Sequence, residues 1–187
     1  MHAPLVASGP SRSLAATLAV AVTIAVVVFG GFGVGGALSR TEGAVVEVAG
    51  VVRVQPLSGW EIAMRSQDPP RVRLTRGGGN LDVVTVSFGG SATDLVAEYV
   101  QSVLEPEAQQ LSVSRETQSV LLDSGLEGLR IAYVGLFGKA QVPIEGEVTV
   151  VVSPTGIGAV FDGWGAKGVL RYVVEDVRAM IEAAEVA

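Results

Sequence analysis

The chain has 187 residues, 49% of them apolar, with 19 acidic against 13 basic side chains and no cysteine. Lack of cysteine excludes disulfides, thiolate nucleophiles, iron–sulfur clusters, cysteine-ligated zinc and an acylated lipoprotein N-terminus, while leaving the redox compartment open, since a domain of this size needs no disulfide. From Thr41 onward the 13 cationic side chains less Arg12 and Arg40 leave 11 against 19 acidic ones, a balance that repels nucleic-acid backbones and anionic lipid surfaces.

Met1 to Ser13 reads as a short polar tail, expected to be disordered, and it carries the only histidine, His2. Leu14 to Leu38 then holds no charged residue between Arg12 and Arg40. As a helix rising 1.5 Å per residue it would reach roughly 37 Å, enough to cross a ~30 Å hydrocarbon core with some tilt. Gly31 with Gly35, or Ala21 with Ala25, would give such a helix a small-residue face, although small residues are also merely tolerated in membrane spans. Two fates fit the composition. A signal-anchor keeps the span, with the short tail cytoplasmic and the rest extracytoplasmic, as in a single-pass cell-membrane protein. A cleaved signal peptide would use Gly35-Gly36-Ala37 as its small-residue site and release a secreted domain. The flanking cations, Arg12 against Arg40 and Arg53, are nearly balanced, and the anchor is the preferred expectation.

Residues 39–43 read as a linker, and 44–187 as one folded domain. Ala44 to Val54 is a valine-rich strand broken at Gly50, and Gln55 to Gly59 a turn. Trp60 to Met64 is a short strand, ended by Gln67-Asp68-Pro69-Pro70. Arg71 to Arg76 alternates, with Val72 and Leu74 on one face and Arg71, Arg73 and Thr75 on the other. Gly77-Gly78-Gly79-Asn80 is a hairpin turn leading into a strand at Leu81 to Phe88.

Ser91, with Asp94 three residues on, is an N-cap of capping-box type. It opens a helix whose stripe is Ala92, Leu95, Val96, Tyr99, Val100 and Val103, ending near Pro106. Strands are expected over 111–123, 127–138, 144–153 and 157–162, with Val150-Val151-Val152 marking a central strand covered on both faces. A closing helix, about Val169 to Glu185, aligns Leu170, Val173, Val174, Val177, Ile181 and Ala184. Strands, helix, strands, helix, joined by hairpin-length connections rather than crossovers, predict an α+β domain: an antiparallel sheet with two main packed helices, preceded by one transmembrane helix.

This order, with the segments VRVQPLSGWEIA (52–63), VRLTRGGGNLDVVTV (72–86), EGEVTVVV (145–152) and GAVFDGWGAKG (158–168), resembles the PsbP-like fold. The fold is named for the extrinsic P subunit of photosystem II and also occurs in a Ran-binding nuclear import factor and in envelope lipoproteins of actinobacteria. The resemblance spans most of residues 44–187 and implies an extracytoplasmic binding or accessory protein near the actinobacterial envelope branch. Here the hydrophobic span would replace the lipid anchor that a lipobox cysteine provides. The fold itself does not choose a partner, and no family site residue carries over.

Catalytic chemistry finds few footholds. With His2 in the tail, the domain lacks a Ser-His-Asp triad, a histidine base and a histidine metal site. The only lysines, Lys139 and Lys167, sit in glycine-flanked turns where an ammonium is readily solvated, so a Ser-Lys dyad is not expected. Gly163-Trp164-Gly165-Ala166-Lys167-Gly168 fits G-x-G-x-x-G but lacks the parallel βαβ unit of a dinucleotide site, and it reads as a glycine-rich strand-to-helix turn. Arg76-Gly77-Gly78-Gly79 lacks the Gly-Lys-Ser/Thr of a P-loop. Glu145 and Glu147 share a strand face, where alternating glutamates are ordinarily a solvated surface.

The candidate contact residues are Arg65, Arg71, Arg73 and Arg76, the basic cluster of an acidic domain, together with Trp164, placed in a glycine-flanked loop; Trp60 is expected in the core. Guanidinium forks suit carboxylate or phosphate groups, although a solvated strand face is the commoner use of such alternation. The sequence therefore predicts no cofactor, no metal site and no enzyme. It predicts a membrane-anchored binding or accessory protein with an envelope protein partner and no nucleic acid; the alternative is a carrier of a lipid-like or apolar ligand.

Overall fold

In a computed structural model the described residues are 44–187; the expected tail, membrane span and linker lie outside them. Among the described residues no helix is long and apolar enough to cross a membrane.

The valine-rich opening folds as a hairpin of β1 (Val46–Val48) and β2 (Val52–Val54). What the sequence reads as a break is a turn through Ala49 and Gly50, both at positive φ, which is the backbone that matches strand twist in a tight hairpin. This hairpin forms a small sheet with β11 (Glu185–Val186), in the order β1-β2-β11.

The large sheet has the order β3-β4-β5-β10-β9-β8-β6, with β7 also paired to β8, and its pairings are antiparallel. Its strands are β3 (Glu61–Gln67), β4 (Pro70–Arg76), β5 (Gly79–Ser87), β6 (Ala108–Val113), β7 (Gln118–Leu121), β8 (Glu127–Phe137), β9 (Val142–Val152) and β10 (Ile157–Ala166).

Two expectations change here. The strand expected over 111–123 is two strands, because β6 and β7 pair with opposite halves of β8 and the chain must bend between them. β10 runs on to Ala166, so Trp164 lies in a strand rather than a loop, and its glycines are ladder residues paired with β5 and β9.

The helix after Ser91 starts as expected. Ser91 Oγ accepts from the Asp94 N–H, and the Asp94 carboxylate accepts from the Ser91 N–H. α1 (Ala92–Tyr99) continues through a π-helical stretch, Val100–Leu104, and a last turn, Glu105–Glu107. The i→i+5 bond from the Glu105 N–H to the Val100 carbonyl shifts the inward stripe by one residue. Leu104 is therefore buried where the simple period places Val103.

From β5 the chain passes through this helix to β6 at the other edge. Four antiparallel steps separate those strands, so they run the same way and the connection is a crossover, not a hairpin. The closing helix is likewise shorter than expected: a 3-10 turn, Leu170–Tyr172, then α2 (Val174–Glu182).

Both faces of the sheet carry a packed layer. Against one face pack α2 and the small sheet, through Val177, Met180, Ile181, Val52 and Val54 onto Leu74, Leu81, Val83 and Phe161. α2 comes close because Gly163 lies beneath it; a Cβ there would sit 2.6 Å from Val177 Cγ1. Against the other face α1 lays Leu95, Val96 and Tyr99 over Ile131, Val148, Val150 and Val160. β9 lies between both layers, as its valine run predicts, with Val148, Val150 and Val151 fully buried. Fully burying a valine is worth about 1.5–3 kcal/mol relative to leaving it exposed.

Candidate functional site

Alternation in β4 sends Val72 and Leu74 to the α2 face and Arg71, Arg73 and Thr75 to the α1 face. The register then aligns one polar row across three strands: Arg73 opposite Asp82, and Asp82 opposite Asp162. α1 leans on β8 and β9, so on this face β3, β4 and β5 stay partly open, and Arg71 and Arg73 keep 28% of their side-chain surface.

Asp82 is buried and accepts four donors. Arg73 approaches bidentately, Nε to Oδ1 at 2.8 Å and Nη2 to Oδ2 at 2.9 Å. Arg71 Nη2 donates to Oδ2 at 2.5 Å, and the Trp164 indole N–H donates to the same oxygen at 2.9 Å. The Arg73 guanidinium also lies over the Trp164 ring, 4.9 Å from its centroid. Burial pushes the Asp82 carboxyl up, but the bonds and charges of Arg73 and Arg71 outweigh it and hold the group below the usual carboxylate range.

Asp162 is sealed behind Asp82. Its oxygens accept from Tyr99 Oη at 2.9 Å and Tyr133 Oη at 3.0 Å, one hydroxyl from α1 and one from β8. Tyr133 reaches it by lying across Gly146, where a Cβ would meet the ring at 2.3 Å. Burial, which the tyrosine bonds only partly offset, lifts Asp162 to about 7, and the neighbouring Asp82 charge adds to the lift. Both tyrosine hydroxyls are pushed above their ordinary range by burial and by Asp162.

Of the residues singled out from sequence, Arg71, Arg73 and Trp164 come together here. Arg65 and Arg76 do not: register puts Arg65 opposite Val72, and Arg76 lies two residues beyond Leu74, so both share the α2 face. Arg65 Nη1 donates to the Glu47 carbonyl at 3.4 Å, and Arg76 pairs with Asp176, which also accepts from the Trp60 indole. Trp60 is buried, as expected.

Glu145 and Glu147 are not a solvated row. Glu147 is held by Arg178 from α2 at 2.6 Å and faces Arg130 at 3.8 Å, while Glu145 accepts from the Gly168 N–H. They pin α2 and its leading turn to the sheet. Arg130 is buried beside them, its Nε donating to Thr149 Oγ1.

Sequence reasoning missed Asp82, Asp162 and Tyr133. A signal was present: a lone aspartate inside an apolar strand, as in LDVVTV and AVFDGW, has to be buried with partners. Among the described residues no group of three or more His, Cys, Asp or Glu side chains could hold a metal ion. Asp162 is buried between two tyrosines, while Arg71 and Arg73 stay partly exposed beside the Trp164 ring. Such a set can grip an anionic or aromatic group.

No family model matches the sequence, and a search of curated proteins found no similar one. Solved structures do match in shape. The cyanobacterial PsbP (CyanoP) of Synechocystis sp. PCC 6803 superposes with a TM-score of 0.58 at 15% identity, over 81% of this chain and 96% of that one. The Ran-binding protein Mog1p of Saccharomyces cerevisiae gives 0.54 at 10% identity, over 76% and 94%. The fold is therefore PsbP-like, as the sequence segments suggested.

Proposed function

We propose that the chain is a binding or accessory protein of the bacterial cell envelope, anchored by Leu14 to Leu38 and acting through protein–protein contacts made by its extracytoplasmic domain. The observation that carries this reading is the open half of the large sheet, where Arg71, Arg73 and Trp164 form a cationic and aromatic platform. Arginine and tryptophan are the residue types that dominate binding energy at protein interfaces. The charge-free run from Leu14 to Leu38 supports the anchor.

A lipid carrier would have to open the space between α1 and the sheet. Leu95, Val96, Tyr99, Ile131, Val148 and Val150 fill that contact, which argues against it. The test is crosslinking of the full chain in its own membranes, followed by purification. One protein recovered in fixed ratio is the expected result. Recovery of the chain alone, or turnover of a small substrate by the purified protein, would count against the reading.

A further inference from the structure

The platform carries two guanidiniums on one carboxylate, and they are not used alike. Arg73 gives both ends of its fork to Asp82, whereas Arg71 gives only Nη2, and its Nε is buried without a partner. Arg71 is the member less committed to Asp82, and 28% of its side chain stays exposed to a ligand. The triad of Arg71, Arg73 and Asp82 has one positive charge in excess, inside a domain whose overall balance is acidic. One uncompensated guanidinium beside an indole matches a monoanion attached to an apolar or aromatic chain. A phosphate dianion would need about two counter-charges against that acidic background.

We propose that this platform receives a carboxylate side chain from an acidic, apolar segment of the partner protein, bound chiefly by Arg71, and that Asp162 tunes the grip. The proposal rests on the binding-protein reading and names the chemistry of its partner.

Asp162 lies behind the platform, opposite Asp82 in the ladder. Tyr99 from α1, Tyr133 from β8, Asp82 from β5 and Arg71 from β4 all act on it. With Asp162 protonated the cluster holds a net charge of about +1; with Asp162 ionised it is neutral. A carboxylate bound at Arg71 removes the charge that favours Asp162 ionisation, so binding takes up a proton and weakens as pH rises through the Asp162 titration near 7.

The test uses the full chain in detergent and an end-blocked hexapeptide with a single Glu among Leu and Ser, carrying a net-neutral rhodamine label and read by anisotropy at pH 6 and pH 8, with the Gln peptide as control. The expected results are binding of the Glu peptide only, affinity lower by at least threefold at pH 8, and loss of binding in Arg71→Gln. That variant keeps the bidentate Arg73–Asp82 pair, and an unchanged circular dichroism spectrum shows that it folds. Asp162→Asn should bind with little dependence on pH.

Equal binding of the Gln peptide, or undiminished binding by folded Arg71→Gln, overturns the proposal. So does inorganic phosphate or an anionic phosphatidylglycerol vesicle binding where the peptide does not. If the crosslinking experiment recovers a partner equally well with Arg71→Gln, the binding-protein reading stands and this site assignment falls.

Discussion

At the scale of single residues two aspartates meet across a ladder with pKa values shifted in opposite directions. Three of the four donors on Asp82 belong to guanidiniums, whereas both donors on Asp162 are neutral hydroxyls. The pH consequences have opposite signs. Asp82, held low, contributes stability that is full above the unfolded value of about 3.9 and is lost as pH falls through its depressed folded value. Asp162, held high at about 7, binds its proton more tightly folded than unfolded. Its contribution is full below about 4, declines as pH rises toward 7, and is gone above that. Urea midpoints at pH 5 and pH 8 should therefore fall more in the wild-type chain than in Asp162→Asn; parallel profiles would show that Asp162 ionises freely. Gly146 makes the neighbouring prediction. A methyl group there must displace the Tyr133 ring, so Gly146→Ala should cost about 1–3 kcal/mol in thermal or urea unfolding, and an unchanged midpoint would mean that the ring can move aside.

At the scale of elements, the alternation of β4, the cap of α1 and the valine run of β9 were legible because each follows from a local period or a local bond. What escaped depended on pairing. Nothing within 111–123 announces that its two halves pair with different stretches of β8, and nothing in the GxG of β10 distinguishes ladder glycines from turn glycines. The shift from Val103 to Leu104 arises from a π turn, which the 3.6-residue period does not contain. The arginines show the same limit. Alternation within β4 is read correctly for Arg71 and Arg73 and already separates Arg76 from them, whereas Arg65 lies on the neighbouring strand beyond a register shift between Ile62 and Met64, which local alternation does not reveal. The cap can be tested alone: Ser91→Ala should destabilise the protein by about 0.5–2 kcal/mol and speed amide exchange in the first turn of α1, while exchange unchanged at Asp94 would mean that the hydroxyl bond is dispensable.

At the scale of the whole molecule, a two-sided sheet leaves one half of one face open, and the cationic platform sits there. A PsbP-like fold fixes the shape of this domain but not its occupant, which has to come from the side chains. Anchoring by Leu14 to Leu38 predicts that N-terminal sequencing of the mature protein reads from before Leu14; a start at Leu38 would point to a cleaved signal instead. The central claim is that the domain works by holding another protein at Arg71, Arg73 and Trp164. Its most direct test is quantitative recovery of crosslinked partner from membranes bearing the full chain, wild type beside Arg71→Gln. The account predicts one protein in fixed ratio with the wild type and its loss from the variant; no partner, or equal recovery from both, would contradict it.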